Sequence, residues 1–204
     1  MESYHSYEEL RRYEKEGVDY QIHVRYGKTG ILIMAPHGGG IEPGTMEIAN
    51  AVAGDDHHFY SFEGLKCEGN LHLHITSREF DEPEGNHMAR NSETILAIHG
   101  CKGDKEVVYI GGKDIGRREK VKKRLEKAHF LVEEEPRFPG ISPLNICIRG
   151  RSGKGVQLEI SRGLRRLMFQ DLSRTTRKMT TGIFEDFVQA LRGALRKPKR
   201  KSSL

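Results

Sequence analysis

The 204-residue chain contains no tryptophan, few cysteines and no long apolar run, and each shortage removes a class of protein. A membrane-spanning helix needs about 20 consecutive apolar residues, and no such run occurs. The three cysteines, Cys67, Cys101 and Cys147, are odd in number and far apart. That excludes a disulfide framework and a Cys-x-x-Cys zinc knuckle. Cys101, close to His99, leaves two readings, a nucleophile or a small buried hydrophobe. Tryptophan is absent, and so are an aromatic-rich ribonucleoprotein motif, a zinc finger and a basic heptad, the usual signatures of nucleic-acid modules. The start, Met1-Glu2-Ser3-Tyr4-His5, lacks the basic-then-apolar pattern of a Sec signal, so synthesis in the cytoplasm is expected. No internal repeat is present, and the length suits one domain.

What the chain does have is a glycine-rich turn after a strand-like run. Ile31-Leu32-Ile33-Met34 leads into Ala35-Pro36-His37-Gly38-Gly39-Gly40-Ile41-Glu42-Pro43-Gly44. Consecutive glycines allow a sharp turn and close approach to an ion, while His37 offers a nitrogen ligand and Glu42 a carboxylate, both suited to zinc. A plain strand-to-helix turn with an incidental histidine is the competing interpretation. A second run, Ile95-Leu96-Ala97-Ile98, also ends on a histidine, His99, followed by Gly100. In open α/β sheets ligand sites gather beyond the carboxyl ends of parallel strands, which brings His37 and His99 to one crevice. With Glu42 they make a three-ligand set, and three ligands leave zinc a position for water. Glu47, in the first turn after a predicted Thr45 N-cap, competes with Glu42 for that role.

Gly155-Val156-Gln157-Leu158-Glu159-Ile160-Ser161 reads as a strand with Gln157, Glu159 and Ser161 on one face. Glu159 faces either a cleft or solvent. His72-Leu73-His74, read as a strand, puts two imidazoles on one side, either for a second metal or for local hydrogen bonds. His57 and His58 point to opposite faces if extended. Apolar runs at 20–26, 31–35, 95–98, 107–110, 130–132 and 156–160 alternate with helical patterns at 45–53, 114–127 and 174–196. Asp114 is a second predicted N-cap. The expected fold is α/β, a single domain over residues 1–196 with a mixed sheet and helices on both faces. Residues 197–204 are expected to be a disordered basic tail.

Taken in order, many blocks of the chain resemble one family. They are Pro36-His37-Gly38-Gly39-Gly40-Ile41-Glu42-Pro43-Gly44-Thr45, Phe62-Glu63-Gly64, Leu73-His74-Ile75-Thr76-Ser77, Phe80-Asp81-Glu82-Pro83, Ile98-His99-Gly100-Cys101, Gly111-Gly112, Asn145-Ile146-Cys147 and Gly155-Val156-Gln157-Leu158-Glu159. The family is that of the phage poly-γ-glutamate hydrolases and their bacterial and archaeal relatives, often labelled phage-related replication proteins. The resemblance implies a zinc peptidase on a zinc-carboxypeptidase-like α/β core, with one Zn2+ on His37, Glu42 and His99 and with Glu159 as general base. It departs at Ile148, where the family carries asparagine.

On that resemblance the expected reaction is hydrolysis of γ-glutamyl amide bonds within the polymer, opening a polyglutamate capsule to a phage or a competing cell. Action outside the cell would then follow lysis. A formal charge of +5 and a pI near 9.1 suit an anionic polymer, and turnover should depend on ionic strength. Substrate carboxylates call for guanidinium forks. Arg165 and Arg90 are the leading candidates, with Arg149 and Asn145 beside them; Arg78, Arg162 and Arg166 are also within sequence reach. The partner is expected to be poly-γ-glutamate, with no membrane and no nucleic acid, and the protein a monomer. Two rival functions remain at this point, a zinc amidohydrolase for a small acylated amino acid or peptide, and a non-enzymatic nucleic-acid module carried by the basic tail.

Overall fold

The structure is a computed structural model and describes residues 4–196. The tail expected at 197–204 lies outside the described residues.

Strand β2 (Ile31–Gly39) is buried at every position. Such continuous burial marks a strand covered by helices on both faces. Six more strands join it: β1 (Tyr20–Arg25), β3 (His58–Gly64), β4 (Thr94–Cys101), β5 (Val107–Gly111), β6 (Leu131–Glu133) and β7 (Gly155–Ser161). Their order across the sheet is β1-β3-β2-β4-β7-β5-β6. The central strands β3, β2, β4 and β7 run parallel, and β1 and β5 are antiparallel to their inner neighbours. The sheet is therefore mixed, as expected.

Alternation along the strands feeds two cores. Ile33, Leu96, Ile98, Val156 and Leu158 pack against helices α2 (Thr45–Ala53), α4 (Ile115–Lys127) and α6 (Gly182–Leu195). Leu32, Met34, Ile95 and Ala97 pack on the other face, with α1 (Tyr7–Tyr13), α3 (Pro83–Asn91) and the turn at Ile146–Ile148. A short helix, α5 (Arg162–Met168), follows β7 directly and is capped by Ser161, whose hydroxyl accepts from Leu164 N–H.

Several local expectations change. β3 was not apparent because Ser61 and Glu63 break its apolar run. The pattern at 174–196 divides into a 3-10 turn at Thr176–Lys178 and α6, which begins only at Gly182. His72 and His74 do not share a strand; Asn70–Leu73 is a 3-10 turn. Thr45 is the first helical residue rather than the cap. Gly44 takes the cap position at φ 97°, and the Thr45 hydroxyl donates to Glu42 O at 2.8 Å. Asp114 does cap α4, accepting from Arg117 N–H.

Candidate active site

β2 and β3 lose register between Ala35 and Gly38, so Pro36 and His37 occupy a bulge at the carboxyl end of β2. A bulge re-aims a side chain. Here it turns His37 towards β4 and His99. The two rings face each other with Nδ1 atoms 3.2 Å apart, both nearly sealed from solvent. Glu42, on the turn after β2, sets Oε1 3.0 Å from His37 Nδ1 and accepts from Gly100 N–H through Oε2 at 2.8 Å. The ligand-capable atoms of His37, Glu42 and His99 all lie within 4.8 Å of one another.

The far nitrogens of both rings are held as well. His37 Nε2–H donates to Ile75 O at 2.7 Å, and His99 Nε2 lies 3.3 Å from Ser77 Oγ. The Ile75 carbonyl, which can only accept, selects the His37 tautomer whose Nδ1 lone pair points inward. Two nitrogens bound at about 2.0–2.1 Å in a tetrahedron sit about 3.3 Å apart, close to the observed separation. The three residues therefore fit one zinc-sized ion by donor type, span and outer hydrogen bonding.

The electrostatics suit exchange of a proton for a cation. Burial opposes charge on His37, but the Glu42 carboxylate, its hydrogen bond and the Ile75 carbonyl together raise the ring's pKa. Burial alone would raise Glu42. The His37 charge, with hydrogen bonds from His37 and His74, holds it well below the ordinary carboxylate range. Burial pushes His99 down to about 3, leaving that ring neutral.

Glu159 stands on β7 directly across from His99 on β4. It is on the face predicted for it, with Gln157, and lines the cleft rather than open solvent. Burial, then the charge of Glu42, raises its pKa well above the usual carboxylate value. Its Oε1 accepts from Gln157 Nε2 at 3.2 Å, and Gln157 Oε1 accepts from Asn145 Nδ2 at 2.9 Å. Asn145 in turn accepts from Cys147 N–H. This buried amide chain fixes one oxygen of Glu159.

The cleft measures about 550 Å³ and carries Lys102, Arg137 and Arg162 at its rim, all exposed. The cations expected to bind substrate are mostly elsewhere. Arg165 is buried against the cleft wall, and its guanidinium donates to the carbonyls of Ile160, Pro43 and Cys101. A Cβ on Gly100 would come within 2.7 Å of that guanidinium carbon, so glycine is what lets Arg165 lie there. Its head is committed to bracing the site, not presented as a fork. Arg149 binds Phe80 O, Asn86 Oδ1, Arg78 O and Leu144 O. Arg90 is exposed on α3, away from the cleft, and Asn145 is buried behind Gln157.

The competing ligands have other work. Glu47 accepts from Arg177 Nε at 2.6 Å. His74 leans over His37, with ring centroids 3.9 Å apart, and sits 3.5 Å from Glu42, so it joins the His37 and Glu42 cluster instead of forming a second pair with His72. Cys101 is buried, and burial first, then Glu159, pushes its thiol up to about 11, against a thiolate nucleophile. Ser77, Ile75 and Gln157 were not anticipated. They fall inside the blocks that carry the family resemblance, but no local pattern marks their contacts with His37, His99 and Glu159.

Paired histidines and a carboxylate beside a buried glutamate, at the carboxyl ends of adjacent parallel strands, form a donor set that could hold a metal ion in a mixed α/β domain. The chain belongs to the poly-γ-glutamate hydrolase family, whose model matches residues 4–190. It is similar to a bacteriophage poly-γ-glutamate hydrolase of known structure, with TM-score 0.91 and 36% identity over 95% of this chain and 96% of that one. It is also similar to the zinc-free apo structure of YndL, with TM-score 0.88 and 33% identity over 94% and 96% of the two chains. Among Bacillus subtilis (strain 168) proteins, UPF0714 protein YndL is 36% identical over 87% of this chain and 71% of its own length. The SPbeta prophage-derived UPF0714 protein YoqZ is 35% identical over 93% and 70%.

Proposed function

We propose that the protein is a zinc-dependent endo-hydrolase of poly-γ-glutamate, with one ion on His37, Glu42 and His99 and with Glu159 as general base. The observation that carries this reading is the convergence of three ligand atoms across from a buried glutamate on the next strand. A zinc ion held there supplies Lewis-acid polarisation of the amide carbonyl and acidifies a water molecule.

Everything else falls to the chain's own groups. Glu159 takes the water's proton and delivers it to the leaving nitrogen. Among the described residues Gln157 holds Oε1 while Oε2 accepts no hydrogen bond, which leaves that oxygen for proton transfer. Burial, then the Glu42 charge, raises its basicity above that of an ordinary carboxylate, the direction a proton shuttle calls for. Arg165 holds β4, β7 and the Pro43 turn in one frame through its three carbonyl bonds. Lys102, Arg137 and Arg162 receive the α-carboxylates of the polymer at the rim. Endo action is supported by the shape of the cleft. It runs on past Ile41, Pro43 and Arg162 into a second hollow of about 680 Å³ that reaches Arg166, so a chain can cross without ending there.

The test is to incubate zinc-loaded protein with high-molecular-weight poly-γ-glutamate, with and without a chelator, and follow chain length by size-exclusion chromatography. A rapid, chelator-sensitive fall in length is expected. An intact polymer with zinc bound would refute the substrate assignment and favour a small amide.

A further inference from the structure

Helix α4 carries Lys120, Lys123, Arg124 and Lys127 at i, i+3, i+4 and i+7, one exposed stripe along a single face. Like charges at these spacings oppose each other. Neighbouring cations are neutralised: Arg117 pairs with Asp114, Arg118 with Glu134 and Arg192 with Asp56. Among the described residues the four stripe cations make no ion pair and no side-chain hydrogen bond, and neither does Arg196. These five side chains line one hollow of about 500 Å³, whose other walls are Gly193 and Ala194. No acidic residue lines it. It shares Lys120 and Arg196 with an adjoining hollow of about 860 Å³ that includes Lys28 and reaches Gly30 and Thr94, at the amino ends of β2 and β4.

None of the stripe residues lines the catalytic cleft, and Lys120 sits by the amino ends of β2 and β4. His37 lies six residues beyond Ile31 on β2, a rise of about 20 Å. The stripe is thus a cationic surface separate from the cleft lining, and among the described residues none of its charges is closed by an ion pair. Its missing complement is a polyanion. The hollow has no aromatic side chain on which a base could stack, a usual feature of single-strand nucleic-acid grooves. A flexible chain of carboxylates needs only spaced cations.

We propose that the α4 stripe with Arg196 is an anchoring site for poly-γ-glutamate, remote from the cleft, which holds the polymer while a distant stretch of the same chain enters the active site. This rests on the hydrolase reading for the identity of the polymer. A second attachment raises the local concentration of cleavable bonds in long chains and does nothing for short ones that cannot span the stripe and the cleft together.

The test compares wild type with the variant Lys120→Gln/Lys123→Gln/Arg124→Gln/Lys127→Gln, since glutamine keeps helix propensity and removes charge. The pair Lys123→Gln/Lys127→Gln serves should the full set disturb folding, as judged by circular dichroism. Steady-state hydrolysis is measured on long polymer and on short γ-glutamyl oligomers at low and high salt. The KM for long polymer should rise at least about fivefold and become less salt-dependent, with kcat and oligomer turnover unchanged. An unchanged KM for long polymer would overturn the anchoring site while leaving the hydrolase reading intact. Should wild type cut neither substrate, the hydrolase reading fails instead. Binding of fluorescein-labelled poly-γ-glutamate by anisotropy then decides the site: weaker binding in the variant supports it, and equal binding overturns it. Duplex DNA is the control probe, and loss of DNA binding with polymer binding retained also overturns the proposal.

Discussion

At the scale of single residues, the proposed mechanism separates holding a metal from moving a proton. Glu159→Gln removes the base without touching His37, Glu42 or His99, so zinc content by atomic absorption should stay at wild-type level while kcat falls by roughly 10²–10⁴. His37→Ala and His99→Ala should lose both zinc and turnover. Gln157 is absent from the cleft lining; its amide donates to Glu159 Oε1 and accepts from Asn145 Nδ2, which orients the carboxylate. Gln157→Leu should retain zinc and KM and lower kcat by about tenfold, a positioning effect. Wild-type kcat in Gln157→Leu would show the amide chain to be structural only. The ligand-capable residues were legible because a glycine-rich turn and two strand-like runs each ended on histidine. Gln157 was not, since a glutamine in a strand carries no mark of the residue it will face. The setting of Arg165 was hidden for the same reason: sequence shows a charge, but only the fold shows a guanidinium bonded to three carbonyls at the cleft wall.

At the scale of elements, one buried arginine joins three parts of the fold. Arg177, in the turn before α6, bonds Glu47 on α2 at 2.6 Å and lies 3.8 Å from Glu63 on β3. Glu63 also meets His23 of β1 at 2.7 Å. Arg177→Met leaves the half-buried Glu47 carboxylate without its partner and should lower the urea denaturation midpoint. The His23 hydrogen bond, then the charges of His23, Arg177 and Arg174, lower the Glu63 pKa against its burial. A depressed folded pKa stabilises the fold above the unfolded value, and that stabilisation is lost as pH falls through the folded pKa. Denaturation midpoints of Glu63→Gln should therefore decline less than wild type on acidification below about pH 4. None of this could be read beforehand, because β3 was hidden by the polar residues that make the contact. α3 was hidden too. Its start rests on Pro83 at the first turn and on Glu82, whose carboxylate accepts from Glu84 and Gly85 N–H, a capping signal without the apolar stripe that sequence patterns detect.

At the scale of the whole molecule, the alternation of apolar runs and helical patterns was enough for a mixed α/β sheet. Strand order was not legible, because β7 enters between β4 and β5 and no local signal announces a partner so far along the chain. Described residues contain no helix long and apolar enough to cross a membrane. The net charge of +5 acts at this scale. Activity on long polymer should drop as salt rises from about 0.01 to 0.15 M, where the screening length falls from about 30 to 8 Å. Initial rates across that range check it. Salt-independent rates would mean that charge plays no part in capture.

The late insertion of β7 also shapes how the chain is made. All three ligand candidates have been synthesised once residue 99 is joined, yet β4, which bears His99, keeps one side unpaired until residues 155–161 arrive. At about 5–20 residues per second that interval lasts roughly 3–12 s. During it a long apolar strand presents a free edge, the kind of surface on which chains stick to one another. Nascent chains stalled before β7 should accordingly sediment as aggregates or recruit chaperones, whereas chains released after it should not.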